Sequence, residues 1–238
     1  MTPNLINLPW GSLTIFGLNF SLGFILAAFL FFRQTKEEFA NDEEVISFLT
    51  NNFLGWFISA RLIFYLTNLE KFNSFLQFFL PWRYPGLSFT GGIGGIIIAC
   101  YFWSKRHQLQ VWKLTDAAIF PLTIFFTGFF LGQWLAGKEI FYLATTALTL
   151  LTIPLSAWAL KYYRSLIWYP SGKIGFALLI TNAVFFLGYS LLAFFLSGSL
   201  YYLEAISGVV LFLSALVTLG LRSENRLIQR IINSIKND

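Results

Sequence analysis

The sequence predicts an all-α fold: a polytopic membrane bundle of seven transmembrane helices, with the N-terminus outside and the C-terminus inside. Three observations predict it. Of the 238 residues, 57% are hydrophobic and 11% charged, whereas a soluble domain carries about 25% charged residues; mean hydropathy is +0.68. A spanning helix needs about 20 mostly apolar residues, and seven stretches meet that need. Lys and Arg are unevenly shared between alternate connections. With the N-terminus outside, the inner loops and tail hold twelve: Arg33, Lys36, Lys105, Arg106, Lys113, Lys161, Arg164, Lys173, Arg222, Arg226, Arg230 and Lys236. The outer loops hold three, Lys71, Arg83 and Lys138, a positive-inside bias.

The first span is Trp10 to Phe32; no basic n-region precedes it, so no cleaved signal peptide is expected. A polar stretch, Arg33 to Glu44, carries five acidic residues and leads into the second span, Val45 to Thr67, which contains Arg61. The outer segment, residues 68–86, sets Phe72, Phe75, Leu76, Phe78, Phe79 and Leu80 among Asn and Gln before Trp82, Arg83 and Tyr84. Such a segment lies along a membrane interface with aromatic anchors at head-group level.

The third span, Leu87 to Trp103, is short at 17 residues. It opens in Gly86 to Gly95, with five glycines in ten positions. Giving up side chains there lets a neighbouring helix or a lipid head group approach the backbone closely, and Gly91 and Gly95 form a small-xxx-small pair open to either reading. The fourth span is Leu114 to Ala136, with Asp116 after Thr115 as an N-cap at its inner end. The fifth is Ile140 to Leu160, the sixth Ile174 to Leu196 and the seventh Leu200 to Leu221. Glu204, beside Tyr201 and Tyr202, is expected at the outer interface.

Residues 1–221 thus form one transmembrane domain. Residues 222–238, alternating Leu227, Ile228, Ile231, Ile232 and Ile235 with cations, form a basic amphipathic cytoplasmic tail.

Net charge is +5 and the isoelectric point about 9.4. The cations are spread over one membrane face, which anionic lipid explains without nucleic acid. Cys100 stands alone in an apolar run, so neither disulfide framework, metal spacing nor lipidation box is read, and no cofactor is expected. His107, the single histidine, falls in an inner Lys-Arg loop, which excludes histidine chemistry on the outer face. The last span has no lysine, which excludes a retinal Schiff base. Asn51, Asn52, Gln133 and Asn182 read as polar glue between helices. Arg61, an ionisable group inside a span, is a functional candidate by its cost alone. It holds a lipid phosphate, or else snorkels to the head groups.

Several motifs together resemble one family. Pro9-Trp-Gly-Ser-Leu-Thr-Ile-Phe-Gly-Leu18 precedes the first span, Ser59-Ala-Arg-Leu62 lies late in the second, Gly86-Leu-Ser-Phe-Thr-Gly-Gly92 opens the third and Trp112-Lys-Leu-Thr-Asp116 opens the fourth. In order and spacing these are similar to prolipoprotein diacylglyceryl transferase, most closely over residues 7–137. The resemblance implies a seven-span protein of the bacterial inner (plasma) membrane with N outside and C inside. The activity it implies moves diacylglyceryl from phosphatidylglycerol to the lipobox cysteine of a preprolipoprotein, releasing glycerol phosphate. The implied partners are phosphatidylglycerol or another anionic phospholipid, and the signal peptide of the preprolipoprotein.

That chemistry needs a thiol that loses its proton and a leaving phosphate held by cations or N–H groups. Here the resemblance breaks down. The family's His-Gly-Gly stands as Thr90-Gly91-Gly92 and its Tyr-Gly as Phe16-Gly17. Its Gly-Arg-x-Gly-Asn-Phe aligns with Phe129 to Trp134, which puts Phe130 at the arginine. Its Phe-Arg-Phe aligns with Phe185-Phe186-Leu187. The family's outer domain between spans four and five is replaced by Gly137-Lys138-Glu139.

By resemblance the lipid-phosphate set is Arg61, Thr90, Gly91, Gly92 and Gln133, with Lys138 or Arg83 from the outer edge; no residue is assigned a catalytic role. Three functions stay open: a transferase with an altered site, a catalytically degenerate relative that binds phospholipid or lipoprotein precursor, and a small permease or scaffold. A permease is disfavoured because Arg61 is the single ionisable residue near the middle of a span.

Overall fold

A computed structural model describes residues 4–8, 11–35, 42–72, 78–79, 86–108, 110–167, 169–196 and 202–223 of the chain. Seven α-helices make up almost all of the described residues: α1 Ile15–Thr35, α2 Asp42–Thr67, α3 Phe89–Arg106, α4 Val111–Gly137, α5 Ile140–Tyr162, α6 Phe176–Leu196 and α7 Tyr202–Ser223. Five of them, α1, α4, α5, α6 and α7, are long and apolar enough to cross a membrane. The other two have charge gathered at one end: α2 opens on Asp42, Glu43 and Glu44, and α3 closes on Lys105 and Arg106. Each cluster complements the partial charge of its helix end. Most of the outer segment and the tail beyond Ser223 lie outside the described residues.

The first expected span starts too early. Strand β1 (Asn4–Leu8) pairs with β2 (Gly11–Thr14) in a two-stranded sheet, so the residues from Gly11 to Thr14 are extended. The helix begins at Ile15 because Thr14 ends the strand with its Oγ1 accepting the Gly17 N–H at 3.1 Å. A threonine in that role satisfies a donor that the first turn leaves unpaired. The all-α expectation otherwise stands, with this small hairpin added.

The described helices fall into two compact units. One consists chiefly of α2 and α3, which run antiparallel: contacts step from Ile63 on Gly91 through Ser59 on Gly95 to Gly55 on Ala99. A Cβ added at Gly91 would lie 2.6 Å from Ile63 Cβ and 2.9 Å from the Ser59 carbonyl oxygen, and one at Gly55 would lie 2.7 Å from Ala99 Cβ. At Gly95 it would collide with the Gly55 carbonyl. The small-xxx-small pair therefore lets two backbones touch, which is how helices associate where no hydrophobic force separates them from lipid. At the far end of the pair, Trp103 Nε1 donates to Ser47 Oγ at 3.3 Å, and the Trp103 indole stacks on His107 at 4.0 Å. The His107 ring nitrogen comes within 4.0 Å of the Glu44 carboxylate.

The other unit holds most of α1 together with α4 to α7. Helix α1 packs on α4 through Gly23, whose Cβ position lies 3.2 Å from Gly128 Cα. Phe16 and Phe20 of α1 meet Phe129 and Phe125 edge to face. Helix α5 turns inward a buried hydroxyl series of Thr145, Thr146, Thr149, Thr152 and Ser156. Each hydroxyl donates to a carbonyl three or four residues earlier, the usual way for such residues to avoid an unpaired donor in a helix.

Asp116 does not cap its own helix. Since α4 begins at Val111, the carboxylate lies in the second turn, where the backbone N–H groups already have partners. It reaches across instead to α6, accepting the Gly175 N–H at 2.6 Å and the Leu178 N–H at 2.9 Å. Gly175 has φ +103°, and a Cβ there would meet the Trp112 ring at 2.6 Å; only glycine allows this backbone to come so close. Arg222 of α7 stacks on the same indole at 4.3 Å and donates to the Ile174 carbonyl. Ser171 Oγ donates to the Arg222 carbonyl at 2.6 Å. The connection before α6 is thus tied to α4 and α7 by charge-assisted bonds, each worth about 1.5–3 kcal/mol.

Candidate functional site

The site is built on the α2–α3 pair, from the carboxyl end of α2 to the first turn of α3. Arg61 is 1% exposed. Its Nε donates to the Phe78 carbonyl at 3.0 Å and its Nη1 to the Gly86 carbonyl at 3.0 Å. The guanidinium carbon lies 5.4 Å from the Phe72 ring centre and 5.9 Å from that of Phe64. This burial sets the charge against carbonyl oxygens and ring faces of its own unit. The planar fork of arginine suits the task, since two N–H groups pointing in different directions bind two separate carbonyls.

Those bonds fix the entry to α3. The Ser88 N–H donates to the Ala60 carbonyl at 3.0 Å, next to Arg61. Ser88 is the N-cap of α3, its Oγ accepting the Gly91 N–H at 3.2 Å, and its carbonyl accepts the Gly92 N–H at 3.1 Å. Thr90 Oγ1 stands 3.3 Å from Ser88 Oγ. A Cβ on Gly92 would run into the Trp56 indole, so this glycine too faces α2. Arg61, Thr90, Gly91 and Gly92 thus share one end of the same helix pair, and both glycine N–H groups are bonded within the helix start.

Gln133 belongs to α4 in the other unit and is half-buried there. Lys138, with φ +59°, places its ammonium 4.8 Å over the Trp134 ring. Arg83 lies outside the described residues. Asn51 and Asn52 turn their amides back on their own helix, donating to the Ser47 and Phe48 carbonyls at 2.7 and 2.9 Å. Glu204 lies in the first turn of α7 and accepts the Tyr189 hydroxyl at 3.0 Å.

The two positions where the resemblance expects arginine are filled with rings. Phe130 is 1% exposed. Its ring centre lies 5.2 Å from that of Phe129, 6.3 Å from Phe185 and 6.1 Å from Tyr189. Phe186 is buried beside Phe185 at 5.2 Å. Tyr189 continues the cluster to Phe141 at 5.6 Å. Such offset and edge-on pairs add to area burial, and the cluster leaves no cation at these positions.

Sequence reasoning missed the carbonyl acceptors of Phe78 and Gly86, the two rings around Arg61 and the cap at Ser88. The cap had a legible signal, a serine three residues before a glycine-rich helical run; the acceptors had none, because any residue supplies a carbonyl.

Together these features define a polytopic helical membrane protein with a buried arginine pinning the start of a glycine-rich helix. The chain belongs to the prolipoprotein diacylglyceryl transferase family, whose model matches residues 3–212. Its relatives include the phosphatidylglycerol–prolipoprotein diacylglyceryl transferase of Wigglesworthia glossinidia brevipalpis, 32% identical over 127 residues, which is 52% of this chain and 44% of the relative. The enzyme of the same description from Neisseria gonorrhoeae (strain NCCP11945) is 33% identical over 128 residues, 50% of this chain and 44% of the relative. That of Haemophilus influenzae (strain PittEE) is 32% identical over 144 residues, 56% of this chain and 51% of the relative. The chain thus spans about half the length of the curated relatives it matches.

Proposed function

We propose that this chain is a catalytically degenerate member of its family that holds an anionic phospholipid, with phosphatidylglycerol as the fitting class, and receives the signal peptide of a preprolipoprotein without transferring diacylglyceryl to it. The observation that supports the reading is the ring cluster of Phe130, Phe185, Phe186 and Tyr189, which fills the two positions where the resemblance expects arginine to hold a leaving phosphate. The residues assigned to the lipid phosphate in the α2–α3 unit are Arg61, Thr90, Gly91 and Gly92; Gln133 is a separate candidate in the other unit. The protein retained from detergent extracts should carry phosphatidylglycerol in native mass spectra, in excess over phosphatidylethanolamine from the same bilayer. Equal retention of the two lipids would remove the anionic head group from the proposal.

The same proposal has all seven helices crossing the bacterial inner membrane, N outside and C inside. The twelve-to-three partition of Lys and Arg supports it. So does length: α3 has 18 residues, about 27 Å at ~1.5 Å per residue. Reporter fusions after Asp238 and within residues 104–110 are expected on the cytoplasmic side, and a tag at Asn73 on the opposite one. Asn73 and Asp238 reporting from the same side would defeat the seven-span arrangement.

A further inference from the structure

The junction of α5 and α6 carries positive charge with no acid of its own. From Ile140 to Leu203 the sequence has no Asp or Glu, and its three cations, Lys161, Arg164 and Lys173, all fall at this junction. A single 3-10 turn, Tyr163–Ser165, prolongs α5, so Lys161 and Arg164 stand three residues apart as surface neighbours. Neither has an ion-pair partner among the described residues. Like charges at that spacing repel, and an anion bound between them relieves the repulsion.

The turn is fixed from inside. Tyr163 is buried and stacks on Phe176 at 6.1 Å. Tyr169, also buried, packs on the same ring at 4.8 Å and donates its hydroxyl to the Lys173 carbonyl at 3.1 Å. Arg164 uses this support: its Nε donates to the Tyr163 hydroxyl at 3.0 Å, and its guanidinium carbon lies 5.4 Å from that ring centre. The side chain is exposed, and its two Nη groups have no partner among the described residues. A fork held at Nε with its outer edge open is set to bind two oxygens of one phosphate.

The surroundings select a lipid as the source of that phosphate. Leu143, Leu150, Leu151 and Trp158 form an exposed apolar stripe along α5, and Tyr162 is exposed at its end. Lys161 follows Leu150 by three helical turns and so continues the same face. Aliphatic, then aromatic, then cationic is the order of depth from acyl chain to head group. Beyond the cations Ile167 is 97% exposed, and an apolar side chain protruding beside cations is what interfacial anchors present to a membrane.

The geometry points to a binding site for the phosphate of an anionic phospholipid, formed by Arg164 and Lys161 in the leaflet at the α5–α6 junction. It uses none of the α2–α3 residues, and it rests on α5 and α6 crossing the membrane as proposed above.

The test reconstitutes the full-length protein in phosphatidylcholine bilayers, with Cys100→Ser and a fluorophore on Ser165→Cys. It reads quenching by phosphatidylglycerol or phosphatidylcholine bearing a nitroxide high on the acyl chain. At equal mole fraction the labelled phosphatidylglycerol is expected to quench more. One cation near the surface is worth about fivefold in local anionic lipid, so Arg164→Gln should cut the excess by about that factor. Adding Lys161→Gln should abolish it, while Arg164→Lys, which keeps the charge without the fork, should fall between wild type and Arg164→Gln. Equal quenching by the two lipids overturns the inference, as does an excess that survives the double variant. Quenching by neither lipid would place the junction away from the bilayer and remove the crossing of α5 and α6 along with the site. Displacement of the labelled lipid by inorganic phosphate, at an ionic strength where chloride has no effect, would overturn the lipid assignment in favour of a soluble ligand.

Discussion

Supplying this chain to a bacterium depleted of its own diacylglyceryl transferase is expected to leave the depletion phenotype unchanged, with no lipid-labelled prolipoprotein detectable. Two needs of the reaction go unmet. Thr90 stands where the resemblance expects histidine, and a threonine hydroxyl does not take up a thiol proton near neutral pH. Phe130 and Phe186 stand where it expects arginine; loss of one electrostatic donor typically costs about 100- to 1,000-fold in rate. The double variant Thr90→His with Phe130→Arg is expected to fail as well. A guanidinium placed at residue 130 would enter a cluster of Phe129, Phe185 and Tyr189, where rings can face it but burial without an anionic partner is expensive. The link between α4 and α5 is also only Lys138 and Glu139, too short to carry an outer domain. Robust rescue by the unmodified chain would show that Arg61 and its neighbours run the chemistry from a different arrangement.

Much of the fold was legible because lipid imposes it. A chain that must satisfy every backbone N–H within its own segment can span as a helix or not at all, so hydropathy alone located α2 to α7 to within a few residues. The first helix was misjudged because its polar lead, Gly11 to Thr14, contains nothing hydropathy can separate from a helix start, and pairing with Asn4 to Leu8 is a tertiary event. Asp116 was misassigned for a similar reason. Its position after Thr115 fits an N-cap, but α4 starts five residues earlier, and only the fold brings Gly175 and Leu178 within reach.

The candidate site was legible in its charge and silent in its contacts. Cost alone marked Arg61, and nothing in the sequence near it named the two carbonyls it binds, which lie 17 and 25 residues further on. The glycines were ambiguous in principle, since the same absence of a side chain serves lipid and helix alike. The close approach of Gly55, Ser59 and Ile63 assigns their side-chain faces to helix packing.

Replacing Arg61 separates its two roles. Arg61→Ala strips the partners from the Phe78 and Gly86 carbonyls and removes the cation over Phe64 and Phe72. With a bond to a charged group worth about 1.5–3 kcal/mol, the loss should exceed about 3 kcal/mol and appear as a lowered thermal midpoint. Arg61→Lys should fall between, because an ammonium keeps the charge but cannot span two carbonyls as the fork does. Phosphatidylglycerol retained per folded molecule should follow the same order, wild type above lysine above alanine. A folded Arg61→Ala that loses stability while keeping its full complement of phosphatidylglycerol would make the arginine a lock on the entry to α3 and nothing more. The lipid head group would then have to be held by groups other than this cation.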